Sequence, residues 1–172
     1  SVEHYLERLE KIRAANPDIV ISTDIIAGFP NETEDEHRAT IELLEKAKYD
    51  FIYSYNYSSR PGTKSAKMED VLTKDIRGRR LREIQAKQLE LQAEVRKEMV
   101  GKTYRVLVES SGTMKGETKW KGRSNCFRII HFKGEEGTDY KWQWVDLKVT
   151  SATALSCQGE IVKVHGKKIT NG

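Results

Sequence analysis

Apolar side chains return at steps of three and four from the start of the chain: Val2, Tyr5, Leu6, Leu9 and Ile12, with Arg13 closing the series. That period predicts an amphipathic helix packed on a sheet, ended by Asn16-Pro17-Asp18. The period then changes. From Ile19 to Ile26 the residues are mostly β-branched and apolar, as in a parallel strand covered on both faces. A repeat of two puts Val20, Ser22, Asp24, Ile26 and Gly28 on one face and Ile19, Ile21, Thr23 and Ile25 on the other. The first face carries the polar interruptions and is the one expected to meet a ligand. Gly28-Phe29-Pro30-Asn31 breaks the strand, with Asn31 suited to a positive φ. Thr33-x-x-Glu36 then reads as a capping box. The helix it opens runs to about Lys48, with Ile41, Leu44 and Ala47 as its buried stripe.

Phe51 to Ser58 alternates aromatic and polar residues and predicts a second strand. Helix, strand, helix, strand with short connections implies parallel pairing through a right-handed crossover. On that strand Phe51, Tyr53, Tyr55 and Tyr57 share one face, while Ile52, Ser54, Asn56 and Ser58 share the other. We expect the aromatic face to be core beneath the helices; the alternative sets one or two tyrosines against a ligand. Arg60-Pro61-Gly62-Thr63 is a tight turn, and a long helix is expected from about Asp75 to Met99. Its stripe is Leu81, Ile84, Leu91, Val95 and Met99 with Gln88 inside, and arginines 77, 79, 80 and 82 crowd its start. Beyond Gly101 four short strands are expected, Thr103 to Glu109, Phe127 to Phe132, Trp142 to Val149 and Gly159 to Val164, separated by glycine-containing loops. Four or five such strands argue for a small antiparallel β-barrel. Trp142 and Trp144 share parity and are expected in its core, and His131 is expected to be structural.

Charge sharpens the division. The net charge is +4, but residues 1–68 carry 9 basic against 12 acidic groups, residues 69–100 carry 8 against 7, and residues 101–172 carry 13 against 7. The last segment is the candidate nucleic-acid face. Within it Lys115, Lys119, Trp120, Lys121 and Arg123 fall in one loop and the strand start after it, suited to phosphate contacts and base stacking if the aromatic is exposed, or an ordinary solvated loop if it packs. Arg79 and Arg80 are candidates for the same RNA path. No apolar run is long enough to cross a membrane, so no membrane partner is expected. The two cysteines, Cys126 and Cys157, are far apart and suit a reducing compartment, with no metal-ligand spacing among the four histidines.

Asp24-Ile-Ile-Ala-Gly-Phe-Pro-Asn-Glu-Thr33 and Tyr57-Ser-Ser-Arg-Pro-Gly-Thr63 resemble the last barrel strands of the radical S-adenosylmethionine methylthiotransferases, most of all the tRNA 2-methylthioadenosine synthases (MiaB type). Gly101-Lys-Thr-Tyr-Arg-Val-Leu-Val-Glu109, Gly122-Arg-Ser124 and Leu155-Ser-Cys-Gln-Gly-Glu160 resemble the TRAM domain, an RNA-binding barrel appended to them. Where relatives have asparagine three residues after the last position of the middle motif, this chain has Phe127. The resemblance implies an α/β plus all-β fold. Residues 1–68 would be the C-terminal end of a partial (β/α) barrel, 69–100 a linking helical segment, and 101–172 the TRAM domain, OB-like. It implies S-adenosylmethionine beside Ser22, Asp24, Ile26, Gly28, Asn56, Ser58 and Arg60. It also implies two 4Fe-4S clusters held by residues upstream, since no cysteine triplet is present, so that no catalytic residue is expected here and the chain would not act alone. The expected partners are tRNA, at its anticodon stem-loop, and upstream domains of the same chain, in a cytoplasmic monomer. Methylthiotransfer to a ribosomal protein or to a differently modified adenosine, and a stand-alone RNA-binding module, are the alternatives.

Overall fold

A computed structural model describes residues 1–114 and 117–167 and divides the chain into two compact units, Ser1–Gln92 and Ala93–Gly172. In the first unit α1 (Val2–Ala15) leads into β1 (Ser22–Ala27), α2 (Glu34–Ala47), β2 (Phe51–Asn56) and α3 (Lys74–Lys97), whose last turn belongs to the second unit. β1 and β2 pair in parallel from Ser22 opposite Phe51 to Ala27 opposite Asn56. The expected capping box is formed, with Thr33 Oγ1 accepting from the Glu36 backbone N–H at 3.2 Å and the Glu36 carboxylate accepting from Thr33 N–H at 2.8 Å. At the other end of α2, Arg13 of α1 donates to the backbone oxygens of Ala47 and Lys48. A cation there satisfies orphan carbonyls and complements the negative end of the helix dipole.

The first core is Leu9, Ala27, Leu44, Ala47, Tyr49, Ile84 and Leu91. Leu44 is fully buried, worth about 2 to 3 kcal/mol for a side chain of that size. The α1 stripe is narrower than its periodicity suggests. Leu9 is buried and Leu6 and Arg13 half-buried, but Val2, Tyr5 and Ile12 stay exposed. Gln88, the polar member of the α3 stripe, is buried and donates to Tyr49 O at 3.2 Å, while Gln92 donates to Asp50 O at 2.7 Å. Their amides satisfy carbonyls at the entrance to β2 that a third strand does not reach.

In the second unit β3 (Thr103–Met114), β4 (Glu117–Ser124), β5 (Ile129–Lys133), β6 (Gln143–Ala152) and β7 (Cys157–Lys167) close a barrel in the order β3-β4-β5-β7-β6. Every junction is antiparallel except β5 with β7, which is parallel through three residue pairs. This departs from the wholly antiparallel barrel expected, and parity explains it: an odd ring of strands cannot alternate direction all the way round. Val106, Val108, Ile130, Phe132, Val145, Leu147, Val149 and Cys157 fill the interior. β4, expected as a loop with a strand start, is a full strand. Its strict alternation sends Trp120, Gly122 and Ser124 inward and Lys119, Lys121 and Arg123 outward.

Candidate functional site

Ser22, Asp24 and Ile26 of β1 lie on the exposed face, as expected, with Thr23 and Ile25 turned toward the helices. β2 reverses the expectation for its own faces. Tyr53 and Tyr55 are 56% and 58% exposed and stand in register with Asp24 and Ile26, while Ile52 packs into the core. The helices take the aliphatic side chain because it fills the layer without an unpaired hydroxyl. At the carboxyl ends of the two strands Ile26, Phe29, Tyr55, Asn56, Tyr57, Ser58 and Arg60 line a cleft of roughly 370 Å³. Arg60 is held at its mouth by the turn, its carbonyl accepting from Thr63 Oγ1 at 2.8 Å. Four expected cofactor-side residues, Ile26, Asn56, Ser58 and Arg60, therefore come together. Ser22 and Asp24 lie further down the same open face.

Gly28 does not belong to that face. It is buried at φ +69, and a Cβ there would sit 2.4 Å from Arg77 Cγ. Arg77 Nε donates to Gly28 O at 2.9 Å, and its guanidinium also reaches Leu72 O and the Asp70 carboxylate and lies 5.7 Å from the Tyr57 ring centre. The sequence marked Arg77 only as one of a cluster; its pairing with a glycine 49 positions away carries no local signal. Arg80 is corrected outright. It is 3% exposed, donating to Glu32 O at 2.7 Å and to the Glu32 carboxylate at 2.8 Å, so it cannot meet a phosphate here. Buried charge must be paired, and the loop supplies the acid. Arg79 is half-exposed and shared between Glu34 and Glu83. Arg79 first, and Arg80 with it, hold the Glu34 carboxyl down at about 2.

On the barrel, Lys119, Lys121 and Arg123 form an outward row on β4, opposite Lys133, His131 and Ile129 of β5. Glu109, set in a bulge of β3, accepts from Arg123 Nε at 2.6 Å and lies 3.7 Å from Lys121 Nζ; Arg123 holds its carboxyl below the ordinary range. His131 stands opposite Lys121 and alternates with the buried Ile130 and Phe132, which puts it on the outer side of β5; burial, then Lys121 and Lys119, push its pKa downward. Trp120 is corrected too: it is 9% exposed and packs edge-on against Tyr140 at 5.5 Å, unable to stack on a base. The exposed indole is Trp142, at 54%, outside the strand, while Trp144 is half-buried. Lys115 lies outside the described residues.

Among the described residues no group of three or more histidine, cysteine, aspartate or glutamate side chains could hold a metal ion, and no helix is long and apolar enough to cross a membrane. Cys126 and Cys157 are both free, and burial raises the Cys157 thiol.

No family model matches the chain. Curated relatives do. A tRNA-2-methylthio-N(6)-dimethylallyladenosine synthase of Flavobacterium johnsoniae is 42% identical over 94% of this chain and 33% of its own. Proteins of the same name from Thermoanaerobacter sp. (strain X514) and Chromohalobacter salexigens are 36% and 34% identical, each over 94% of this chain and 34% and 36% of theirs. The likeness seen in the strand and turn motifs is thus borne out along nearly the whole sequence, and the chain spans about a third of the length of the relatives it matches.

Proposed function

We propose that this chain is the cofactor-side wall and RNA-binding barrel of a tRNA methylthiotransferase, which places a methylthio group on C2 of N6-isopentenyladenosine next to the anticodon. The supporting observation is that similarity to proteins named for that product covers 94% of the chain, and so includes both the open β1–β2 face and the basic barrel. On this reading the first unit is the end of a partial (β/α) barrel and the second a TRAM domain. The open cleft suits S-adenosylmethionine. Ile26, Phe29 and Tyr55 offer a flat apolar wall, Asn56 and Ser58 offer hydrogen bonds, and the Arg60 guanidinium matches a carboxylate. The buried Tyr57 hydroxyl, without a hydrogen-bond partner among the described residues, is a further polar group at that wall. When bound, S-adenosylmethionine supplies the radical and the methyl group. The two isolated cysteines do not fit an iron-sulfur cluster, and no step is assigned to this chain's thiols. Its residues bind, orient and exclude water, while Lys119, Lys121 and Arg123 face the tRNA backbone.

The test is mass spectrometry of tRNA nucleosides and ribosomal proteins from cells lacking the parent gene. Loss of the 2-methylthio mark with accumulation of N6-isopentenyladenosine is expected. An intact tRNA mark with a missing ribosomal methylthio group would move the assignment to a protein substrate. Re-expression of the parent protein carrying Arg60→Ala should fail to restore the mark; full restoration would remove Arg60 from the cofactor wall.

A further inference from the structure

Among the described residues four other than glycine hold a positive φ: Asn31, Lys48, Phe127 and Trp142. Asparagine tolerates that region, and Lys48 is the left-handed cap of α2, its N–H bonded to Leu44 O at 2.9 Å. Phe127 (φ 57) and Trp142 (φ 63) take it within tight turns, closed by Ser124 N–H to Arg128 O and by Gln143 N–H to Tyr140 O, both at 3.0 Å, where glycine or asparagine is the usual occupant. A bulky aromatic is disfavoured there, and these two are also 67% and 54% exposed. Neither the backbone nor the solvation of these rings favours folding, so their placement calls for an occupant.

Phe127 lies at the end of the basic strand, and Trp142 lies beyond β3, two strands away. Phe127 sits in the turn from β4 to β5, its N–H donating to Ser124 O at 2.9 Å and its carbonyl accepting from Arg123 Nη1 at 3.4 Å. Trp142 precedes β6, its N–H bonded to Val108 O at 2.8 Å and Lys141 Nζ 5.7 Å from its ring centre. Arg123 is opposite Leu107, which is opposite Trp144, so β4, β3 and β6 form one continuous outer surface. The two aromatics stand at opposite corners of it, about two strand spacings, ~10 Å, apart across the strands and offset along them, Phe127 lying past Ser124, which is opposite Val106, and Trp142 beside Val108. We propose that Phe127 and Trp142 are base-stacking posts for single-stranded RNA whose phosphates lie on Lys119, Lys121 and Arg123. This rests on the nucleic-acid reading of the barrel and deepens it. Flat π faces beside that row suit bases and phosphates together, and the row, three cations against the Glu109 carboxylate, keeps a positive excess that favours a polyanion over a protein of ordinary composition. Stacking of this kind tolerates any base, so the posts position the strand and leave sequence choice to other contacts.

The test titrates the full chain with a fluorescein-labelled oligoadenylate at several salt concentrations. Trp142→Ala and Phe127→Ala should each weaken binding roughly 5- to 100-fold with the salt slope unchanged, and Trp142→Phe should recover most of the loss. Lys121→Gln should instead lower the slope by about one unit. Trp142→Gly separates stacking from packing: the melting temperature should hold or rise as the strain is released, while affinity falls. If the melting temperature drops, the ring packs the barrel and the posts are overturned. If both alanine variants bind like the parent while Lys121→Gln flattens the slope, the phosphate row stands and the posts fall. If charge and ring variants alike leave RNA binding intact, the nucleic-acid reading itself fails.

Discussion

At Gly28 the chain has no room for a side chain. The residue combines a left-handed backbone with an arginine stem where a Cβ would go, so two costs coincide. Gly28→Ala is expected to lose about 2 to 4 kcal/mol. Gly62, at φ +85 with open space around it, isolates the backbone share, about 1 to 2 kcal/mol. Amide exchange of β1 and β2 checks the pair; equal losses would mean that Arg77 simply moves aside. The positions legible in the sequence were those governed by near neighbours. Asn31 takes its positive φ, and Thr33 with Glu36 forms its box, because both signals lie within three residues. Arg80 and Trp120 were misread because composition shows a charge or a ring but not its distant partner. Glu32 and Tyr140, which decide the matter, reach them only through the fold.

Among the elements, β6 carries the clearest electrostatic seam. Asp146 accepts from Arg105 on β3 at 2.8 Å and lies 2.7 Å from His165 on β7, so one carboxylate ties three strands. Arg105 first, and His165 after it, hold that carboxyl down at about 2 from an ordinary 3.8. A depressed acid stabilises the fold above its unfolded pKa and ceases to do so as pH falls through the folded one. Barrel stability should therefore decline from about pH 4 toward pH 2, and Asp146→Asn should flatten that stretch of the profile. An identical acid limb in the variant, followed by tryptophan fluorescence, would discard the seam. Helix positions were read well, since a 3.6-residue period and a cap are local. The faces of β2 were not, because alternation tells which residues share a side and not which side the helices cover. β4 was missed as a strand although Lys-Trp-Lys-Gly-Arg-Ser alternates perfectly, its charge having drawn it toward a loop.

For the whole molecule, the two units differ in how they treat their edges. The barrel closes every strand, while among the described residues β1 and β2 pair only with each other. All three tryptophans fall in the barrel unit, and α1, α2 and most of α3 in the other. Tryptophan fluorescence and helical circular dichroism thus report separate units. The helical signal should be lost at lower denaturant than the fluorescence, because an open two-stranded sheet is marginal by itself; coincident curves would show one cooperative block. The skewed charge was legible from sequence and matches the division, the acidic excess lying with the α/β unit and the basic excess with the barrel. The closure itself was not, since a ring is a long-range property. Its odd count has a mechanical consequence. The parallel junction between β5 and β7, three pairs long against nine for β6 with β7, is the clasp of the bracelet, and β5 is also the strand that carries His131 and Lys133 beside the basic row. Any molecule that settles across that row leans on the clasp, so occupancy of the outer face and tightness of the ring are bound to change together.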